Sequence, residues 1–147
     1  MIEYKVKVYD NGTKEWYFNG KRHRLDGPAF EYPDGYKAWL LNGKFHRDDG
    51  PAREWDNGHK EWWLNDLLHR DDGPAVEWGD GSKSWYLNGE LHRVDGPARE
   101  DEFGHKYWWL NGEEYTEEEF LKRTQPVKEL TIAEIEALLG HKVKVVK

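Results

Sequence analysis

Short runs of alternating apolar and polar residues, separated by turn residues, fill most of this chain, and that pattern predicts β-strands joined by tight turns. Between Pro28 and Gly50, the segment Leu41-Asn42-Gly43-Lys44 places Asn-Gly inside such an alternation. A two-residue type I′ hairpin needs positive φ at both central positions, so Asn42-Gly43 is its signature. The turn sets Leu41 opposite Lys44, Leu40 opposite Phe45 and Trp39 opposite His46. Asn65-Asp66 stands at the same place further on, where Asp tolerates left-handed backbone less well than Gly. A second turn, Pro33-Asp34-Gly35, has counterparts in Asp56-Asn57-Gly58 and Gly79-Asp80-Gly81. A three-residue loop with Gly as the bulge residue pairs Glu31 with Lys37, Glu54 with Lys60 and Glu77 with Lys83, whereas a two-residue loop pairs Tyr32 with Lys37. The three-residue form gives the recurring Glu and Lys one shared reason to recur. Each exposed pair is worth only about 0.2–1 kcal/mol, so it sets register more than stability.

These turns repeat on a fixed step. His23-Arg24, His46-Arg47, His69-Arg70 and His92-Arg93 recur every 23 residues, each followed by x-Asp-Gly-Pro-Ala. Trp16, Trp39, Trp62, Trp85 and Trp108 keep the same step, as do Lys14, Lys37, Lys60, Lys83 and Lys106, and Asn19, Asn42, Asn65, Asn88 and Asn111. A period of this length marks stacked units, each too small to bury an apolar face alone. The predicted fold is all-β, an elongated antiparallel meander of five hairpin repeats with a small C-terminal helix-plus-strand cap. Residues 1–120 form the repeat array and 121–147 the cap and terminal strand.

The register sorts side chains onto two faces. One collects Ala29, Glu31, Lys37, Trp39, Leu41 and His46, whose equivalents hardly change between repeats. The other collects Phe30, Tyr32, Tyr36, Ala38, Leu40 and Phe45, whose equivalents vary. Along the Leu40 column the chain has Tyr17, Leu40, Trp63, Tyr86 and Trp109; along the Phe45 column, Arg22, Phe45, Leu68, Leu91 and Glu114. The variable face is therefore apolar in the middle repeats and polar at both ends.

At the start, Val6 and Val8 fall in the Ala29 and Glu31 positions and Asn11-Gly12 in the first turn. Where another His-Arg motif is due, Tyr115-Thr116-Glu117-Glu118-Glu119 appears, with Thr116 and Glu119 as a capping box. Thr131 and Glu134 form a second box, opening a helix with Ile132, Ile135, Leu138 and Leu139 on one side and Gly140 as its stop. His141 to Lys147 alternates as a strand. Together these read as a cap that keeps the sheet edge from pairing with other chains.

Mean hydropathy is −1.06, a value common in disordered chains, but nine Trp, eight Tyr and five Phe supply enough aromatic surface to offset ordering entropy. The net charge of −7, with cations interleaved among the acids, argues against a nucleic-acid-binding basic face. The absence of cysteine excludes disulfides, thiolate-ligated metal and thiol catalysis. The N-terminus lacks a signal-peptide core and no apolar run reaches the roughly 18–20 residues of a membrane span, so a cytoplasmic protein without a membrane partner is expected.

Asn42-Gly43-Lys44-Phe45-His46 and Asp34-Gly35-Tyr36-Lys37 resemble the MORN repeat, a β-hairpin unit, and the likeness covers about Val6 to Gly112. The chain departs from the usual pattern in carrying Arg47 where Gly commonly follows the His, and in its Asp-Gly-Pro-Ala segment. This variant looks like repeats in small proteins of tailed bacteriophages. The resemblance implies an elongated sheet that binds proteins or membrane surfaces, with no catalytic residue carried over; on the resemblance alone, it implies an accessory or anti-defence protein acting on a host protein in the host cytoplasm.

The four His-Arg-x-Asp segments invite a metal or acid-base reading. Ligands must converge on one ion at about 2.0–2.1 Å, whereas a two-strand repeat displaces equivalent residues by about 10 Å, which argues against a shared site. Copies in identical surroundings also lack the pKa asymmetry of catalysis. The expectation is no enzyme, no metal and no cofactor, with His46, His69 and His92 packing edge-on against Trp39, Trp62 and Trp85 and Asp26, Asp49, Asp72 and Asp95 capping the turn into Gly-Pro. The candidate binding residues are those of the variable face: Tyr32, Leu40, Phe45, Trp55, Trp63, Leu68, Trp78 and Tyr86. Either they build the second side of a rolled sheet, or they form an exposed strip that meets a protein partner or a second copy. The expected function is a protein-binding module; the alternative is a small-ligand protein holding carbohydrate or nucleotide on the aromatic face.

Overall fold

The computed structural model describes residues 1–126 and 129–144. An antiparallel sheet of twelve strands runs in chain order from Lys5–Val8 to Glu113–Tyr115, and three two-stranded hairpins lie off it. The three-residue turns after Tyr32, Trp55 and Trp78 build the large sheet, and the two-residue turns Asn42-Gly43, Asn65-Asp66 and Asn88-Gly89 build the three hairpins off it. Glu31 pairs with Lys37, Glu54 with Lys60 and Glu77 with Lys83, as the three-residue loop requires. Leu41 pairs with Lys44 and Leu40 with Phe45, as the two-residue loop requires. Asn42 and Gly43 both take positive φ, at 52° and 80°. Asp66 also sits in the left-handed region, at φ 64°, and its carboxylate accepts a hydrogen bond from the Phe45 N–H at 2.7 Å. That bond offsets the backbone cost that makes Asp the poorer residue there.

One row of tryptophans joins the two ladders. The Trp39 N–H donates to the Ala52 carbonyl of the next repeat at 2.8 Å, while its carbonyl accepts from His46 of its own hairpin at 3.1 Å. Trp16, Trp62 and Trp85 repeat this exchange with Ala29 and His23, Ala75 and His69, and Ala98 and His92. Successive hairpins are tied as well: Gly43 donates to the Arg22 carbonyl, Asp66 to Phe45, Gly89 to Leu68 and Gly112 to Leu91. Each unit therefore leans on its neighbour twice.

The core is thin. Ala29, Ala52, Ala75 and Ala98 are fully buried, and one contiguous cluster adds Phe30, Ala38 and Leu40, with Tyr36 and Phe45 against it. Polar joints carry much of the rest, and they differ from expectation. Arginine, not histidine, covers the tryptophan: Arg24, Arg47, Arg70 and Arg93 lie over Trp16, Trp39, Trp62 and Trp85 at 4.3, 4.0, 4.0 and 4.1 Å. The planar, delocalised guanidinium suits an aromatic face and still offers its fork of donors. Asp26, Asp49, Asp72 and Asp95 accept from the arginine Nε at 2.7–2.9 Å, so they hold the arginine instead of capping the turn. Glycine at the motif's Asp-Gly step completes the sandwich, because a Cβ on Gly50 would stand 2.9 Å from the Arg47 Cζ.

The histidines join neighbouring repeats. His23, His46, His69 and His92 each accept, at Nδ1, the backbone N–H of the next unit's Asn42, Asn65, Asn88 or Asn111, at 3.0–3.2 Å. Their Nδ1 is thus the acceptor nitrogen, and in His46 and His69 the Nε2 faces Asp48 and Asp71. The Glu column recurs for a similar reason. Glu54 and Glu77 meet the stacked Arg47 and Arg70 at 3.3 and 3.1 Å, while the lysines opposite them in the ladder stay exposed.

At the C-terminal end, helix α1 (Glu117–Thr124) starts at the Thr116 capping box and crosses the expected boundary between array and cap. Its Phe120, 2% exposed, packs on Trp108 with ring centroids 4.8 Å apart. Helix α2 (Ile132–Leu139) has the expected Thr131 box and the left-handed Gly140 stop. None of its residues is buried, however, so among the described residues it is α1 that covers the sheet end. The strand expected over 141–147 is not formed at 141–144, where the Val143 N–H turns back to the Glu136 carboxylate; residues 145–147 lie outside the described residues.

Candidate functional site

With the recurring face committed to joints, chemical individuality lies on the other face. The three-residue turn puts the residue before it and the residue after it side by side: the Tyr32 N–H donates to the Tyr36 carbonyl, and Trp55 to His59. Because neighbouring hairpins are also adjacent in the sheet, these side chains form one continuous row of rings. Centroids step from Phe30 to Tyr32 (4.5 Å), Tyr36 (5.9 Å), Trp55 (4.9 Å), His59 (4.5 Å) and Trp78 (5.8 Å). Tyr32 is 45% exposed, and Tyr36, Trp55, His59 and Trp78 are half-buried.

Polar side chains hold the middle of the row. Glu61 accepts from Arg53 at 2.9 Å, from the Trp63 indole at 2.8 Å, and lies 3.0 Å from the His59 Nε2. The Arg53 guanidinium also lies over Trp55 at 4.6 Å and over Phe45 at 4.9 Å, and its Nε donates to the Tyr36 hydroxyl. His59 Nδ1 is buried with no hydrogen-bond partner among the described residues.

The same column positions carry a second carboxylate in the first repeat. Glu15, 5% exposed, accepts from Arg22 at 2.6 Å, from Tyr9 at 3.1 Å and from Tyr17. Burial works against its charge, but the hydrogen bonds from Tyr17, Arg22 and Tyr9 together outweigh burial and hold the carboxyl below its ordinary value of 4.5. A carboxyl depressed on folding adds stability above its unfolded pKa and loses it as pH falls through the folded value. Wild-type stability should therefore decline on acidification below about pH 4.5. Glu15→Gln should be less stable near neutral pH, with the gap closing in acid; parallel melting curves across that range would contradict the role.

Of the residues expected to bind, Tyr32, Trp55 and Trp78 are brought together in the row. Phe45 and Trp63 form a second contact, 5.7 Å between centroids, over the Asn-Gly hairpins. Leu68 faces Trp63 across its hairpin, and Tyr86 faces Leu91 one repeat on. Leu40 is 6% exposed and belongs to the core, because the Phe30, Ala38 and Phe45 side chains close over it. Arg53, His59, Glu61, Thr13 and Glu15 were not anticipated, and Tyr36, though on the variable face, was not among the residues expected to bind. Following the Tyr36 column (Thr13, Tyr36, His59, Ser82, His105), the Ala38 column (Glu15, Ala38, Glu61, Ser84, Tyr107) and the Phe30 column (Lys7, Phe30, Arg53, Val76, Arg99) would have exposed them, since these change character at every step.

Among the described residues, no three His, Asp or Glu side chains converge as a metal site would require. No helix among them is long and apolar enough to cross a membrane. Compared with known protein families and curated proteins, the chain matches no family model and no curated sequence.

Proposed function

We propose that this chain is a non-enzymatic binding module whose ring row, Tyr32 to Trp78, meets a protein partner. The observation that carries the reading is that row: adjoining, half-exposed Tyr and Trp side chains, held in place by the Arg53–Glu61 pair. Trp, Tyr and Arg dominate the energetics of protein interfaces, and rings already held in place lose little freedom on binding. The His59–Glu61 pair does not argue for catalysis, because the imidazole buries one nitrogen and directs the other at Glu61. The likeness to MORN-type repeats of phage proteins supports a host or viral protein as the partner, an anti-defence role included, acting in the host cytoplasm.

The test is affinity capture from the producing host, followed by titration of the purified partner against wild type and the Trp55→Ala/Trp78→Ala double variant. Each truncation at an interface centre costs on the order of 2 kcal/mol, so the pair should weaken binding at least about a hundredfold with the melting temperature little changed. Unaltered affinity in the folded double variant would remove the row from the interface. Light scattering of the chain alone adds a further arm: a dimer that dissociates in the double variant assigns the row to a second copy.

A further inference from the structure

The first and second repeats enclose a groove of about 480 Å³, with Asn11, Thr13, Glu15, Arg22, Tyr32 and Ala38 in its lining. Its origin is legible in the ladder. Glu15 pairs with Phe30 and Phe30 with Ala38, so a methyl group stands in the column where Glu15 and Glu61 stand in the repeats on either side. The small residue opens a floor between larger walls. Phe30 and Tyr32 meet edge to face at 4.5 Å and Tyr36 adjoins them, giving one wall a rigid aromatic surface.

Thr13 supplies an observation that the fold does not explain. It is 4% exposed, and its Oγ1 has no hydrogen-bond partner among the described residues. Its backbone is fixed on both sides, its N–H donating to the Asn11 side chain at 2.9 Å and its carbonyl accepting from the Tyr9 N–H at 2.9 Å, so the residue is held in place beside the groove. A buried hydroxyl left unpaired costs free energy, and a ligand group that both donates and accepts would relieve that cost. Charge narrows the class of ligand. Glu15 and Arg22 neutralise one another at 2.6 Å, and no lysine lines the groove, so nothing there selects a phosphate or an ammonium group. Arg22 is still 44% exposed at its side chain and lies over Phe30 at 4.9 Å, which leaves further N–H donors at the rim.

We propose that this groove binds a neutral saccharide, one face of a sugar ring resting on the exposed Tyr32 while its hydroxyls pair with Thr13, Asn11 and the rim of Arg22. A volume of this size lies within the range of about 300–1,000 Å³ usual for small-molecule sites, and a lining that joins an aromatic wall to several polar side chains suits a ligand rich in hydroxyl groups. The groove shares Phe30, Tyr32 and Tyr36 with the near end of the ring row but not Trp55 or Trp78, so it goes beyond the protein-binding reading and does not depend on it.

The experiment is a titration of the full isotope-labelled chain, followed by amide NMR, with a panel of neutral mono- and disaccharides that includes glucose, galactose, N-acetylglucosamine, maltose, cellobiose and lactose. Glucose 6-phosphate and AMP serve as charged comparators. At least one neutral sugar should shift the amides of Thr13, Glu15 and Tyr32. Thr13→Val keeps the shape and removes the hydroxyl, and should lower that affinity about five- to tenfold, with Thr13→Ser restoring it. Tyr32→Ala removes an exposed wall and should lower affinity at least as much. Trp55→Ala/Trp78→Ala should leave sugar binding intact, so loss of partner binding and loss of sugar binding are separable. No response to any neutral sugar would overturn the proposal, as would tighter binding of either charged comparator, or unchanged affinity in both folded variants.

Discussion

Phe120→Ala is expected to lower stability by about 3–5 kcal/mol, the cost of emptying a buried aromatic site. The ring is the one side chain of α1 that is buried, and it rests on Trp108. An eight-residue helix is too short to persist in water on its capping box alone, so losing its anchor should release the whole of α1. In a one-dimensional array each unit is stabilised by its neighbours, and the last unit has only one. The damage should therefore begin at the strand Lys106–Leu110, which pairs with Arg99–Glu100 and Glu113–Tyr115. Hydrogen exchange ought to accelerate from Lys106 through Thr124 before the first repeats respond. The freed edge should also raise the tendency to associate. A loss below about 1 kcal/mol in urea unfolding would show that α1 is not the seal.

Arg70→Ala comes second, at about 2–4 kcal/mol, because one side chain serves four partners. Its guanidinium lies 4.0 Å over Trp62 and donates to Asp72 at 2.8 Å, to the Pro74 carbonyl at 3.2 Å and to Glu77 at 3.1 Å. Removing it bares the Trp62 face and takes a donor from the Pro74 carbonyl. Arg70→Lys should recover little, since an ammonium neither stacks flat nor reaches three acceptors in one plane. A local readout accompanies the global one. The hydrogen bond and charge of Arg70 hold the Asp72 carboxyl below its ordinary range, so in Arg70→Ala that carboxyl should titrate higher by NMR. A lysine variant as stable as wild type would sink the stacked-arginine account.

How much of this could be read from residues in a row differs from element to element. The Asn42-Gly43 hairpin and the Glu31–Lys37 register were legible, because positive φ and period-two alternation are local requirements. Both helix starts were legible for the same reason, Thr116 and Thr131 each bonding Glu three positions on. The histidines were misplaced because their partners are distant: His46 reaches the backbone of Asn65, 19 residues away, and no pattern within one repeat points there. The terminal alternation suggested a strand, but pairing needs an edge in reach, and residues 141–144 form none.

The candidate site divides in the same way. Tyr32, Trp55 and Trp78 could be placed in one column by counting, and the structure sets them in one row. Their true neighbours, Tyr36 and His59, come from across the turn, and Arg53 from the adjoining strand. Whether Leu40 was surface or core depended on Phe30 and Phe45 closing over it, which burial alone decides.

The sequence by itself determined the repeat, both turn types, the strand register and the two faces, since each follows from the step of 23 and from the backbone needs of Gly, Asn and Asp. Only the tertiary structure decided that arginine lies on the tryptophans while histidine links one repeat to the next. It also decided that α1, not α2, closes the array, and that Ala38 opens a groove beside the unpaired hydroxyl of Thr13. These are contests between side chains for the same partner or the same space, and they are settled by distance after the ladders have formed.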